Sequence, residues 1–157
     1  MPRMFGTDGV RGLANRDITP HLALELGEAA ARYVARSSNG SGSRPRAIIG
    51  RDTRLSGEFL DHALAAGLAA AGMDVTRIGV ATTPMVAHLT ATENVELGAM
   101  ISASHNPMPD NGIKFFAHGG FKLEDRVEDT IERLIGEPWE RPVGEAVGEI
   151  EFDDSRA

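Results

Sequence analysis

"RAIIGRDTRLSGEFLDHALAAGLAAAGMDVTRIGV", residues 46–80, is the stretch that decides the fold of this 157-residue chain. "RAIIG" is a short apolar run that breaks into the polar turn "RDTR", the pattern of a buried strand. "SGEFLDHALAAGLAAAG" (56–72) then spaces apolar residues at the helical period, with Phe59, Leu60, Ala63, Leu64 and Leu68 on one face. Ser56 is placed as the N-cap, Glu58 favours the first turn, and Gly72 suits the position just beyond the helix. "DVTRIGV" (74–80) follows as a second strand. Strand, helix and strand with short connections read as an α/β unit.

The alternation continues on both sides. Upstream, "ITPHLALELGEAAARYVARS" (18–37) is a helix opening on Thr-Pro. Downstream, "TPMVAHLTATE" (83–93) is a helix with Thr83 as its cap and Pro84 at the first helical position. "LGAMISA" (97–103) and "GIKFFA" (112–117) read as strands, and "EDRVEDTIERLIG" (124–136) as a helix with Val127, Ile131, Leu134 and Ile135 on one side. The order predicts an α/β sheet covered on both faces, with ligands gathering beyond the carboxyl ends of its strands. "SSNGSGSRP" (37–45) is a surface loop whose Asn39-Gly-Ser sequon is not expected to be used in a chain without a secretory signal. Residues 1–137 are expected to form one domain, and 138–157 a connector toward a second domain, with a short strand near 149–152. The sequence holds no internal repeat.

Composition narrows the function classes. Hydrophobic residues make up 41% and charged residues 25%, ordinary for a soluble globular protein. The absence of cysteine excludes disulfides and thiolate metal sites and fits a reducing compartment. The longest low-polarity segment, Ala63–Met73, is too short to span a bilayer. Residues 1–120 hold 11 acids and 11 bases, whereas 121–157 hold 12 acids and 5 bases, so the net charge of −7 lies entirely in the tail. That distribution argues against nucleic acid or an anionic membrane as partner.

The chemistry concentrates in "AMISASHNPMPDNGIKFF" (99–116), where a strand opens into a loop with two hydroxyls, an imidazole and, just beyond, one of only two lysines in a chain with 14 arginines. A Ser–His hydrolase pair is disfavoured: Ser104 and His105 are adjacent, and no G-x-S-x-G elbow exists. A metal site is poorly served by one histidine and hydroxyls. A serine that carries a phosphoryl group would need an exposed hydroxyl, facing N–H groups and nearby cations. A plain polar turn, with hydroxyls bonded to its own backbone, accounts for the residues equally well. Lys114, unlike arginine, can give up its proton near neutral pH when its environment lowers its pKa. "FGTDGVRG" (5–12) spaces glycines at 6, 9 and 12, which lets backbone approach a ligand; Arg11 is either an oxyanion clamp or an ordinary surface arginine. In "GRDTRLSG" (50–57), Arg51, Asp52 and Arg54 read as an ion-pair cluster that orients loops rather than a catalytic group. His21, His62, His88 and His118 stand singly, and Asp153-Asp154 reads as a solvated pair.

Taken together, "FGTDGVRG", "GRDTRLSG", "TPMVAHL" and "ISASHNP…NGIKFF" resemble the α-D-phosphohexomutase superfamily over residues 4 to 136, and most closely its glucosamine-phosphate branch. The resemblance implies a three-layer α/β/α sandwich with a mixed sheet, the first of four domains. It implies that Ser104 is the phosphoserine, transferring its phosphoryl group to glucosamine 6-phosphate and recovering another from the 1,6-bisphosphate to release glucosamine 1-phosphate. This is a step toward UDP-N-acetylglucosamine and the peptidoglycan cell wall in the cytoplasm. Lys114 is then the acid/base residue, Arg11 and His105 flank the phosphoryl group, and Asn106, Gly9 and Ser102 shape or bind the phosphate. Mg²⁺ would touch this chain only through the phosphoryl oxygen on Ser104, because the aspartate loop that completes its cage has no match here. The remaining domains are the expected partners, with self-association through this domain, and the piece alone is expected to be inactive. The alternatives are a domain of a phosphomannomutase or phosphoglucomutase, or a non-catalytic phosphate-binding module.

Overall fold

Ala47, Ile48 and Ile49 are all buried, and a run buried on both faces belongs in the middle of a sheet. The computed structural model, which describes residues 3–37 and 42–156, places it there. The elements run β1 (Val10–Leu13), α1 (Pro20–Ser37), β2 (Arg46–Arg51), α2 (Leu55–Ala70), β3 (Asp74–Val80), α3 (Thr83–Thr92), β4 (Leu97–Ile101), β5 (Asp110–Ala117), α4 (Asp125–Leu134) and β6 (Ile150–Phe152). The six strands are ordered β1-β5-β4-β2-β3-β6. β2 pairs parallel with both β4 and β3, and β6 runs parallel to β3. β5 is antiparallel to β4 and to β1, which makes the sheet mixed. The Asn39 sequon lies outside the described residues.

Alternation along the strands splits the core in two. Ala47, Ile49, Val75, Ala99, Ile113 and Phe115 pack with Leu26, Leu60, Leu64 and Ile131 of α1, α2 and α4. Ile48, Ile78, Met100 and Phe116 pack with Val86 and Leu89 of α3. The result is a three-layer α/β/α sandwich, with three helices on one face and one on the other. No helix among the described residues is long and apolar enough to cross a membrane.

Two helix starts differ from the sequence reading. The N-cap of α2 is Arg54, with no side-chain cap bond, so Ser56 lies inside the first turn. Its hydroxyl instead accepts from Asn111 Nδ2 at 2.9 Å, a tertiary partner invisible in the local pattern. α3 is capped by Thr82, not Thr83, because Thr82 is the extended residue whose hydroxyl accepts the Met85 N–H. At α1 the expectation holds, with Thr19 Oγ1 accepting from Leu22 N at 3.0 Å. "FGTDGVRG", read as turns, supplies β1 from its second half; the short pairing with β5 has too few alternating residues to signal itself.

Of the segment expected as a connector, residues 138–156 run back along the domain and add β6 as an edge strand. The Asp74 carboxylate accepts from the Glu149 N–H at 2.9 Å and from Arg44 at 3.1 Å. Upstream, the guanidinium groups of Arg32 and Arg141 each lie 4.8 Å from the centroid of the Trp139 ring. Inside the domain, Arg77 of β3 grips Asp61 of α2 with two bonds of 2.9 and 3.0 Å. Asp61 is fully buried, and the paired geometry offsets its desolvation.

α1 and α2 cross so closely that a Cβ on Gly67 would stand 2.2 Å from Leu24 O, and one on Gly27 2.6 Å from Leu64 O. Gly→Ala in an exposed helix usually stabilises by about 1 kcal/mol. Here the obstacle is backbone, so overpacking wins: Gly67→Ala should destabilise by about 1–3 kcal/mol, read as a lower urea midpoint. Burial pushes the Asp74 carboxyl up, but the Glu149 N–H and the Arg44 guanidinium outweigh it, and its pKa lies below the ordinary aspartate value. A carboxyl depressed in the fold contributes stability above its unfolded pKa and loses it as pH falls through the folded one. The difference in urea midpoint between the parent chain and Asp74→Asn should therefore be present at neutral pH and vanish in strong acid. An undiminished difference at acid pH would refute this linkage.

Candidate active site

The register across three strands assembles the site. Ile101 of β4 pairs with Ile113 of β5, which pairs with Val10 of β1. One position further along lie Ser102, Gly112 and Arg11: Ser102 N donates to Gly112 O at 3.0 Å, and Arg11 is the register partner of Gly112. Because Ile113 and Val10 face the larger core, Arg11 and Lys114 share the opposite face, the one α3 covers. Gly112 leaves the space that the Arg11 side chain occupies, since a Cβ there would be 2.6 Å from Arg11 Cγ. Lys114, partly buried and paired with Met100, holds its Nζ 5.5 Å from the centroid of the Phe116 ring. Arg11 lies 3.7 Å from Asp8, and its Nε is buried without a hydrogen-bond partner among the described residues.

Beyond β4 the chain turns twice, with Asn106 N donating to Ala103 O and Asp110 N to Pro107 O, both at 3.0 Å. Ser104 is exposed and holds φ at +54°, a left-handed conformation uncommon for a residue with a side chain. Its N–H donates to Ser102 Oγ at 2.9 Å, and the Ser102 hydroxyl donates to Asp52 Oδ2 at 2.6 Å. Ser102, expected to bind phosphate, thus has its proton committed to Asp52. Ser104 Oγ stands 3.5 Å from His105 Nδ1, at the outer limit of a hydrogen bond, and among the described residues no carboxylate orients that ring. A Ser–His–acid triad is therefore not assembled. The Asn106 amide approaches Asp110 at 3.4 Å.

The "GRDTR" turn closes over the loop from β2. Asp52 pairs with Arg54, whose guanidinium also donates to Ser104 O at 3.1 Å and Asn106 O at 2.6 Å. The expected three-member cluster is a pair: Arg51 turns to the other face of β2 and lies 3.7 Å from the buried Asp61. Strand alternation is the reason, since neighbours on a strand point to opposite faces. A groove of about 390 Å³ lined by Asp52, Thr53, Val80, Thr82 and Met85 adjoins this edge. A larger one of about 550 Å³, lined by Tyr33, Glu96, His118 and Phe121, lies at the opposite end of β4 and β5. The polar edge holds the chemistry; size alone does not mark the site.

The arrangement displays an exposed hydroxyl on a constrained loop, with two cationic side chains on the adjoining sheet face. This chain belongs to the phosphoglucomutase/phosphomannomutase family, as its alpha/beta/alpha domain I, matched over residues 2–141. Among individual proteins, it is 62% identical over its whole length to the phosphoglucosamine mutase of Bifidobacterium animalis subsp. lactis, covering 35% of that protein. It is 60% identical over 149 residues to the phosphoglucosamine mutase of Acidothermus cellulolyticus, covering 95% of this chain and 32% of that one. It spans about a third of the length of these relatives. A solved phosphoglucomutase/phosphomannomutase family protein from Burkholderia thailandensis superposes with a TM-score of 0.78 at 26% identity, over 97% of this chain and 33% of that one.

Gly9 is where the N-terminal segment presses on β5. Its φ is +85°, and a Cβ there would stand 2.3 Å from Ile113 O and 2.9 Å from Lys114 Cα. Gly9→Ala combines backbone strain with a collision against main chain, and should cost about 2–4 kcal/mol in urea unfolding. A midpoint equal to that of the parent chain would contradict the close approach.

Proposed function

We propose that this chain is the phosphoserine-bearing domain of an enzyme that interconverts glucosamine 6-phosphate and glucosamine 1-phosphate. The observation that carries the reading is Ser104: an exposed hydroxyl in left-handed backbone at the strand edge, in a chain so similar to named phosphoglucosamine mutases. In the forward direction the bond from phosphorus to Ser104 Oγ breaks and one to the sugar O1 forms, giving a 1,6-bisphosphate. After the intermediate reorients, the O6 phosphoryl group returns to Ser104 Oγ and glucosamine 1-phosphate leaves. Lys114 takes the proton of the attacking sugar hydroxyl and gives it to the departing oxygen on the return step. Arg11 and His105 offset charge on the transferring group, and Gly9 and Asn106 shape its surroundings. Phosphate monoesters hydrolyse very slowly without catalysis, so a phosphoserine can wait for its acceptor.

Among the described residues no group of three His, Cys, Asp or Glu side chains could hold a metal. Mg²⁺ would be held on this chain through a phosphoryl oxygen on Ser104, with its other ligands coming from the remaining domains. When bound, it neutralises charge on the phosphoryl group. The reading includes a cytoplasmic setting and the remaining domains as partners, and assigns no turnover to the isolated chain.

In the full-length enzyme, Ser104→Ala should lower interconversion of glucosamine phosphates by more than about a thousandfold. The parent protein should carry one phosphoryl group at Ser104 by intact mass and peptide mapping. Undiminished turnover in the alanine variant would refute the reading. Preferential turnover of mannose or glucose phosphates would move it to another branch of the family, and absence of turnover on all three sugars would favour a binding module.

A further inference from the structure

We infer that Asp52 and Arg54 are positioning residues that, through the Ser102 hydroxyl and two loop carbonyls, aim the Ser104 oxygen at its acceptor. The inference rests on the function proposed for Ser104 and names groups that reading does not use. The loop around Ser104 is held at three points. The Ser104 N–H is bonded to Ser102 Oγ, itself anchored on Asp52. The Ser104 carbonyl is bonded to Arg54, and so is the carbonyl of Asn106 two residues on. These two carbonyls bracket His105, so one guanidinium fixes the backbone on both sides of it.

The anchors come from another part of the fold. Asp52 continues β2, and its N–H donates to Ile101 O at 3.1 Å, the last residue of β4. Asp52 Oδ1 also accepts from the Arg54 N–H at 3.1 Å, which tightens the turn into α2. The Arg54 side chain is only 9% exposed, and its Nε has no hydrogen-bond partner among the described residues. A guanidinium presents its donors in one planar fork, so a single side chain can meet a carboxylate and two carbonyls at once. Lysine carries the charge without that geometry. The loop gains no such rigidity from its own sequence, and left-handed backbone at a serine persists only where surroundings impose it. A catalytic oxygen displaced by about 1 Å loses on the order of a hundredfold in rate.

The test uses the full-length enzyme with Ser102→Ala, Ser102→Thr, Asp52→Asn and Arg54→Lys. Ser102→Ala, Asp52→Asn and Arg54→Lys should lower kcat by about 10- to 100-fold, with KM for the sugar phosphate unchanged within about twofold. The rate at which a hexose 1,6-bisphosphate loads Ser104, followed by intact mass, should fall in the same proportion. Ser102→Thr, which restores the hydroxyl, should recover most of the loss. A purely structural anchor would lower the urea midpoint without separating kcat from KM and without slowing the loading of the folded fraction. If Ser102→Ala does not fold, Asp52→Asn and Arg54→Lys make the same comparison. Ser104→Ala is run beside them. If it is inactive while the other variants keep kcat within about twofold, this inference alone fails. If Ser104→Ala is itself fully active, the functional reading fails first.

Discussion

Parallel pairing of β2 with β4 is the constraint on which the rest of the molecule depends. It sets Arg51 beside Ile101 and brings two turns about fifty residues apart in sequence to one edge of the sheet. Asp52 can then receive the Ser102 hydroxyl, and Arg54 can reach the carbonyls on either side of His105. A slip of one residue in that register would reverse the faces of the strand and send the Asp52 carboxylate away from the loop. The buried aliphatic residues on both faces hold the register, because each face has its own core to satisfy.

The two cores are unequal, and the asymmetry suits the site. Three helices seal one face, and the closest contact there is made by glycines, so α1 and α2 meet almost backbone to backbone. On the other face α3 covers only part of the sheet, and Arg11 and Lys114 emerge on that side. Rigid packing behind and partial cover in front is what a site must have if its scaffold is to stay still while a ligand enters. The extra residue in β3 at Ile78, where the pairing shifts between Ile49 and Gly50, adds a bulge near the same edge.

Much of this was legible from residues alone. The helices of the α/β unit, the strands and the Thr19 cap follow from periodicity and local hydrogen bonding, which act within a few residues. The misplacements share a cause. Ser56 looks like a cap because serine usually is one, but its hydroxyl serves Asn111 on β5. Arg51 looks like a third member of the Asp52 pair, but alternation turns it to Asp61. β1 is a short edge strand whose pairing lies almost wholly in contacts remote in sequence.

By itself, then, the sequence determined the helices, the inner strands, the composition of both cores and the loop in which chemistry concentrates, since hydrophobic period and turn chemistry are local quantities. Tertiary structure alone decided that Ser104 is held in left-handed backbone by Ser102, Asp52 and Arg54, and that Arg11 and Lys114 share a face. Such facts depend on strand register, and register is settled by the simultaneous burial of residues distant along the chain.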